Sequence, residues 1–357
     1  NYNGIDEIES VLIENLFVFE SEENFIDTIK NNFDHKPTSF ELSSLLGINE
    51  ANTLKYIHKF NAEYLVKLGG DWTSHYEDEL MELFPGGEQS NRSVLNGKEL
   101  DILYRDKNIA LEFNGSYWHS SIFKGEFDHQ QKSIQAIENG VRIIHIFEYE
   151  WNNESIRNKL INLINYYLGY DEIKTFYARK CTIKHIGVDE ARGFLNKYHL
   201  QGYIASEIYL GLFYNDKMIG VATFGKPRFN KECEYELLRL AWKANCNVVG
   251  GPSKLLKYFV SEYNPKSIVS YCNIAKFSGK VYELLGFDFI EYTRPNYIWW
   301  NSSNQDILNR YQTTKQTLLD KGLGKYGNTE NEIMENLGFV KIWDCGNAKY
   351  IWKCKES

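Results

Sequence analysis

KELDILYRDKNIALEFNGSYWH, residues 98–119, is the stretch that decides the central fold. Apolar and polar residues alternate on both sides of Asp106-Lys107, a pattern that predicts two half-buried strands joined by a two-residue turn. With that turn, Asp101 lies directly opposite Glu112. The apolar face is predicted to be core: Leu100, Ile102, Tyr104, Ile109, Leu111 and Phe113. The other face carries the polar set: Asp101, Glu112 and Asn114.

Two opposed carboxylates on a hairpin predict a metal site. Their Cβ atoms would lie about 5 Å apart, and the like charges repel unless a cation or a proton lies between them. Oxygen ligands suit Mg²⁺, for which Mn²⁺ may substitute, and such an ion activates a water for attack on a phosphodiester. We therefore expect Asp101 and Glu112 to bind Mg²⁺. The alternative is an exposed hairpin face with salt bridges, since Lys98 and Lys107 are near.

Three motifs together carry a family resemblance: ELD, EFNGSYWH and IHIFEYEW. They resemble the very-short-patch-repair endonucleases and, more closely, the phage-borne EDxHD homing endonucleases of the restriction-endonuclease-like fold. The likeness covers about residues 75–165. It implies a Mg²⁺-dependent DNA endonuclease in which Asp101 is the central metal ligand and His119 acts near the scissile phosphate.

The same resemblance assigns further candidates. Glu77 would be the early acidic residue, with Glu79 as its competitor. Asn114 replaces the lysine of the wider fold, so the general base stays open. His129 and Lys132, one turn apart on the next predicted helix, would supply that base or bind phosphate.

Composition and charge limit the class of protein. Hydrophobic residues make up 43% and no apolar run reaches the length of a membrane span. Six cysteines without metal-ligand spacing fit the reducing cytoplasm of a bacterial host. Net charge is −8, but residues 161–357 carry 26 basic and 20 acidic groups, which favours phosphate contact there.

Residues 36–69 predict a helix-turn-helix unit with its turn at Gly47. The second helix, from about Asn49, would present a polar face to a DNA groove: Asn52, Thr53, Lys55, Tyr56 and Lys59. The alternative is a helical hairpin that supports the next domain. Ser74 to Glu77 predicts a capping box that starts a further helix.

The C-terminal half resembles an N-acetyltransferase-like fold and, within it, DNA-modification enzymes of the Mom type. In that fold a glycine-rich turn opening a helix cradles the coenzyme pyrophosphate, here Gly250, Gly251 and Ser253. The fold's full arginine/glutamine-x-x-glycine pattern is absent. We therefore favour DNA contact by basic residues: Lys226, Arg228, Lys231, Arg239, Lys254, Lys257 and Arg310.

The sequence thus predicts a multidomain α+β (mixed α/β) protein. A helical DNA-binding segment spans 1–73, a restriction-endonuclease-like domain 74–168, and an N-acetyltransferase-like domain 181–357, after a linker near 168–180. The leading function is hydrolysis of double-stranded DNA. One alternative is a nucleic-acid-modifying acyltransferase whose activity lies in the C-terminal half. A non-catalytic DNA-binding protein is the other.

Overall fold

The computed structural model describes residues 21–48, 50–66 and 75–354. They form a mixed α/β protein with four β-sheets, as expected at the level of fold class. The chain divides into two units by its contacts. Unit 1 comprises three segments: Asn1–Glu79, Asn114–His129 and Asn296–Asp344. Unit 2 comprises the others: Leu80–Phe113, Gln130–Pro295 and Cys345–Ser357.

The N-terminal helices of unit 1 confirm the predicted helix pair. They are α1 (Glu22–Asn32), α2 (Ser39–Leu46) and α3 (Glu50–Lys59). A capping box between Thr38 and Glu41 starts α2, and Gly47 ends it with a φ of 62°. Thr53, predicted on the outer face of α3, is instead fully buried, because it follows the helical stripe that packs on α1 and α2.

The C-terminal part of unit 1 is a three-stranded sheet covered by short helices. Its strands have the order β14-β13-β15. The elements are β13 (Tyr297–Asn301), β14 (Ile307–Asn309), α11 (Lys315–Asp320), α12 (Glu330–Asn336) and β15 (Phe339–Trp343). β14 consists of three residues, 307–309, which pair with β13 across a tight turn, and α11 begins only at Lys315.

Unit 2 contains the sheet formed around the quoted hairpin, with order β1-β2-β3-β4. Its elements, with α4 before them, are α4 (His75–Leu83), β1 (Glu88–Leu95), β2 (Lys98–Tyr104), β3 (Ile109–Asn114), α5 (Asp128–Glu138), β4 (Arg142–Phe147), α6 (Glu148–Trp151) and α7 (Glu154–Leu168). Ile102 pairs with Leu111, which is the predicted register. The polar face is not exposed, since every residue of β3 is buried. Ser74, the predicted cap, lies outside the described residues.

The larger sheet of unit 2 has seven strands in the order β12-β16-β11-β9-β8-β7-β6. Its elements are β6 (Thr182–His185), α8 (Val188–Tyr198), β7 (Ile208–Tyr214), β8 (Lys217–Gly225), β9 (Tyr235–Trp242), α9 (Gly251–Tyr263), β11 (Ser267–Asn273), α10 (Lys280–Leu284), β12 (Asp288–Tyr292) and β16 (Asn347–Lys353). The predicted linker near 168–180 holds a strand, β5 (Lys174–Tyr177), because it pairs in parallel with β10 (Cys246–Val249). No helix of the described segments is long and apolar enough to cross a membrane.

Candidate functional site

The predicted metal site on the hairpin contains an ion pair with a lysine. The Glu112 carboxylate, almost fully buried, pairs with the ammonium of Lys132 from α5. The Asp101 carboxylate accepts the amide of Phe113 at 2.7 Å. Within the described residues, no three His, Cys, Asp or Glu side chains are grouped to hold a metal. Since Lys132 already supplies the positive charge expected of the ion, Mg²⁺ at Asp101 and Glu112 stays a prediction.

His119 and His129 of unit 1 are brought together. Nδ1 of His119 lies 2.8 Å from Nε2 of His129, whose Nδ1 lies 2.8 Å from the carbonyl oxygen of Trp343. A carbonyl only accepts, so Nδ1 of His129 carries the proton and its Nε2 accepts from His119. Glu77 is half-buried on α4, and Asn114 is buried at the end of β3.

The predicted DNA-contacting residues differ in their exposure and in their partners within the protein. Three bond to the protein: Arg228 to Glu236, Arg239 to backbone carbonyls, and Lys254 to the carbonyls of Ala178 and Cys181. Arg239 and Lys254 are half-buried, whereas Arg228 is exposed. The other exposed members are Lys55, which pairs with Glu335, and Lys59, Lys226, Lys231, Lys257 and Arg310, while Asn52 is half-buried. DNA contact by any of these residues stays a prediction.

The most distinctive feature of unit 2 is an opening between two parallel strands. β9 and β11 pair only at their starts, Tyr235 with Ile268 and Glu236 with Val269. The cause lies on the other edge of β9, where Thr223 pairs with Arg239 but Phe224 pairs with Leu237, so Leu238 is an extra, bulged residue. A bulge bends its strand and increases its twist. The strands therefore diverge beyond Glu236.

A cationic recess lies near the carboxyl end of β9. It has a volume of about 460 Å³ and is lined by Tyr177, Ala178, Arg179, Val249, Gly250, Ser253, Lys254 and Lys257. The helix α9 begins here, after Gly250 with a φ of 76°. Gly251 must be glycine, since a Cβ would lie 2.6 Å from the ring of Trp242. Three cations and a 13-residue helix with its amino end at the recess favour an anion.

One face of the opening holds a desolvated charge cluster. The Glu236 side chain is buried and accepts from Arg228 through Nε at 3.1 Å, Nη2 at 2.7 Å and the backbone amide at 2.8 Å. Arg239 lies on the same face, where desolvation and the charge of Arg228 lower its pKa to about 10. Desolvation and the charges of Arg239 and Lys159 lower the pKa of His199 to about 3, so its imidazole is neutral at pH 7.

The opposite face of the opening contributes hydroxyl groups. Ser270 Oγ donates to the Leu237 carbonyl at 2.9 Å across the diverging strands. Tyr282 of α10 stacks on Tyr350 with ring centroids 5.1 Å apart. Although the residue is partly accessible, desolvation raises the pKa of the Tyr282 phenol well above its usual value, against a smaller opposing effect of Ser270. The phenol therefore keeps its proton at neutral pH.

Sequence reasoning missed the residues that assemble here: Arg179, His199, Glu236, Ser270 and Tyr282. His199 stands in the stretch KYHLQGY, residues 197–203, and no motif there placed it near Arg239. Glu236 carried a signal, because a carboxylate within the apolar strand YELLRLAW is expected to have a partner.

No protein-family description matches this chain, and no curated protein matches it. Among solved structures, an acetyltransferase of Bacillus subtilis in complex with CoA is similar to it, with 13% identity and a TM-score of 0.29, over 49% of this chain and 99% of that one. This similar structure is an acetyltransferase and not a nuclease. The predicted Mg²⁺-dependent homing endonuclease, and the resemblance from which it was inferred, are wrong on this finding.

Proposed function

We propose that the part of unit 2 within the C-terminal half of the chain contains an acyltransferase that takes its acyl group from acyl-coenzyme A and transfers it to an amine on nucleic acid. The observation that carries the proposal is the opening between β9 and β11, with the cationic recess at the carboxyl end of β9. This is the nucleic-acid-modifying acyltransferase that was inferred from the sequence as an alternative to DNA hydrolysis.

The diverging strands offer a place for an extended, amide-containing arm. Beyond Glu236 and Val269, the facing backbone edges of β9 and β11 no longer pair with each other. Unpaired strand edges accept an added extended chain through main-chain hydrogen bonds. The pantetheine arm of coenzyme A contains two amide groups and has this shape, so it fits the opening better than a compact ligand does.

The recess beside this opening suits a pyrophosphate. Lys254 donates to two neutral carbonyl groups, which leave its charge uncompensated, and Lys257 is exposed at the rim. The amide groups of the first turn of α9 add partial positive charge. A phosphate bound by these groups would lie near Trp242, the last residue of β9, because that ring contacts Gly251.

The chemistry needs a proton donor for the leaving thiolate. Bound acyl-coenzyme A supplies a thioester, which an amine converts to an amide and a thiol. Tyr282 is the candidate donor because its phenol lies beside Ser270 of β11 at the opening, and its raised pKa means that it can donate only to a strongly basic leaving thiolate. Glu236 already accepts from Arg228 through its carboxylate oxygens, so it is poorly suited to that role.

Nucleic acid is proposed as the acceptor on the character of the loop that follows β8. Phe229 is 70% exposed there and lies edge-on to Tyr271 with ring centroids 6.2 Å apart. Lys226 and Lys231 are exposed beside it. An exposed ring between basic side chains suits base stacking and phosphate contact. We therefore also propose double-stranded DNA as a partner of this protein.

The test is acyl transfer by the full chain from [¹⁴C]acetyl-CoA to duplex and single-stranded DNA, with thiol release measured in parallel. We expect label in the DNA and an equal amount of thiol. The Tyr282→Phe variant should lose about 10²- to 10⁴-fold in turnover with unchanged acetyl-CoA binding. Tyr258→Phe, on the neighbouring helix α9, is the matched control and should keep full activity. Thiol release without DNA labelling would overturn the acceptor, and absence of both would overturn the function.

A further inference from the structure

Arg239 occupies a position between the sheet and the turn that follows α8. Its Nε donates to the carbonyl of Gly202 at 3.0 Å, and Nη1 donates to the carbonyl of Leu238 at 2.9 Å. Across the strands it faces Thr223, which is fully buried. The side chain is therefore held in one place by two neutral acceptors.

The charge of Arg239 is offset only in part by the protein, through the nearby carboxylate of Glu236. The nearby Arg228 takes the carboxylate of Glu236, and Arg239 forms no ion pair with any carboxylate of the described residues. His199, in the adjoining turn, is neutral, and Lys159 adds a further positive charge through its bond to the His199 carbonyl. A desolvated cation without a direct counter-ion is costly, so the site favours an anion.

Hydrogen-bonding capacity leads to the same conclusion. A guanidinium carries five N–H groups, and the two bonds of Arg239 use two of them. Nη2 makes neither of these bonds and is not among the described buried atoms that lack a partner, so its N–H groups reach accessible space. Two N–H groups in a fixed fork match the two oxygens of a carboxylate or phosphate.

We infer that Arg239 binds an anionic group, a carboxylate or a phosphate, on the acceptor substrate and so positions its amine at the opening of β9 and β11. That the anion belongs to an acceptor substrate rests on the proposed acyl transfer. The anion site itself follows from Arg239, its two carbonyl partners and the lack of a direct ion pair with any carboxylate of the described residues. Arg239 is a positioning residue, because it acts on the acceptor away from the reacting amine.

The test compares matched neutral and anionic amines by calorimetric binding to the full chain. The pairs are deoxyadenosine with dAMP for phosphate, and glycinamide with glycine for carboxylate. We expect the anionic member of one pair to bind about ten- to a hundredfold more tightly, as for one or two charge-assisted hydrogen bonds. Arg239→Gln should reduce that preference below about threefold. Arg192→Gln, an exposed arginine paired with Asp189, should keep it.

Further variants separate the possible failures. Lys257→Ala should leave the preference intact, which excludes binding of dAMP in the recess of α9. Arg239→Lys keeps the charge but not the fork, so it should give an intermediate preference if Arg239→Gln fails to fold. A preference that survives both Arg239 variants, or none in the wild type, overturns the inference. If acetyl-CoA fails to bind while the Arg239-dependent preference is present, the proposed function falls and the anion site stands.

Discussion

Removing Arg228 should leave the carboxylate of Glu236 buried without its counter-ion. Glu236 is 1% exposed at its side chain and takes two hydrogen bonds from the guanidinium, while Arg228 is 38% exposed. Breaking a buried pair by removing one partner costs about 3–5 kcal/mol, and the exposure of Arg228 favours the lower end of that range. For Arg228→Met we therefore expect a loss of about 3 kcal/mol in the free energy of unfolding.

The assay is differential scanning calorimetry at pH 7 together with urea unfolding. A loss of about 3 kcal/mol corresponds to a fall in Tm of roughly 6–12 °C for a unit of this size. The double variant Arg228→Met/Glu236→Met removes both charges and should recover most of the loss, since replacing a buried pair by apolar residues is often neutral. Lys231→Met, an exposed lysine of the same loop, is the control. A single variant that loses less than about 1 kcal/mol would refute the reasoning.

Two further predictions concern stability. Lys276 is 2% exposed and donates to Glu150 at 2.6 Å and to the His145 carbonyl. The Lys276→Met variant should therefore lose about 3 kcal/mol in the free energy of unfolding, measured with urea, because Glu150 is left without its partner. Adding Glu150→Gln to that variant should restore part of the loss. A double variant that is no more stable than Lys276→Met alone would contradict this prediction. His199 has a folded pKa of about 3, so the unfolded chain binds the extra proton first as pH falls below about 6.5. The free energy of unfolding should therefore fall by about 2 kcal/mol between pH 6.5 and pH 5. The His199→Gln variant should show a smaller fall. The His185→Gln variant, which changes an exposed histidine of β6, should show the same fall as the wild type.

The sequence predicted the features that local rules determine. Alternation and a short turn gave the register of Ile102 with Leu111, and helical spacing with Gly47 gave α2 and α3. The Gly250-Gly251 turn gave the start of α9. Each of these depends on neighbours within a few residues, so the pattern alone was enough.

The functional features depend on distant residues and were not predictable in that way. Lys132, which neutralises Glu112, comes from the next helix, and the separation of β9 from β11 follows from one bulged residue, Leu238. Unit 1 is assembled from three segments that are far apart in the sequence. The ion pair of Glu112 with Lys132 could not be foreseen from the hairpin alone, and the Mg²⁺ site at Asp101 and Glu112 stays a prediction.

The central claim is tested most directly by the equilibrium binding of acetyl-CoA to the full chain, measured by titration calorimetry. The proposal predicts one site with a Kd in the micromolar range. The affinity should fall about tenfold in Lys257→Ala, which removes a cation of the recess. It should be unchanged in Lys231→Ala, which removes another exposed lysine of the unit. No binding at millimolar acetyl-CoA, or equal binding by both lysine variants and the wild type, would contradict it.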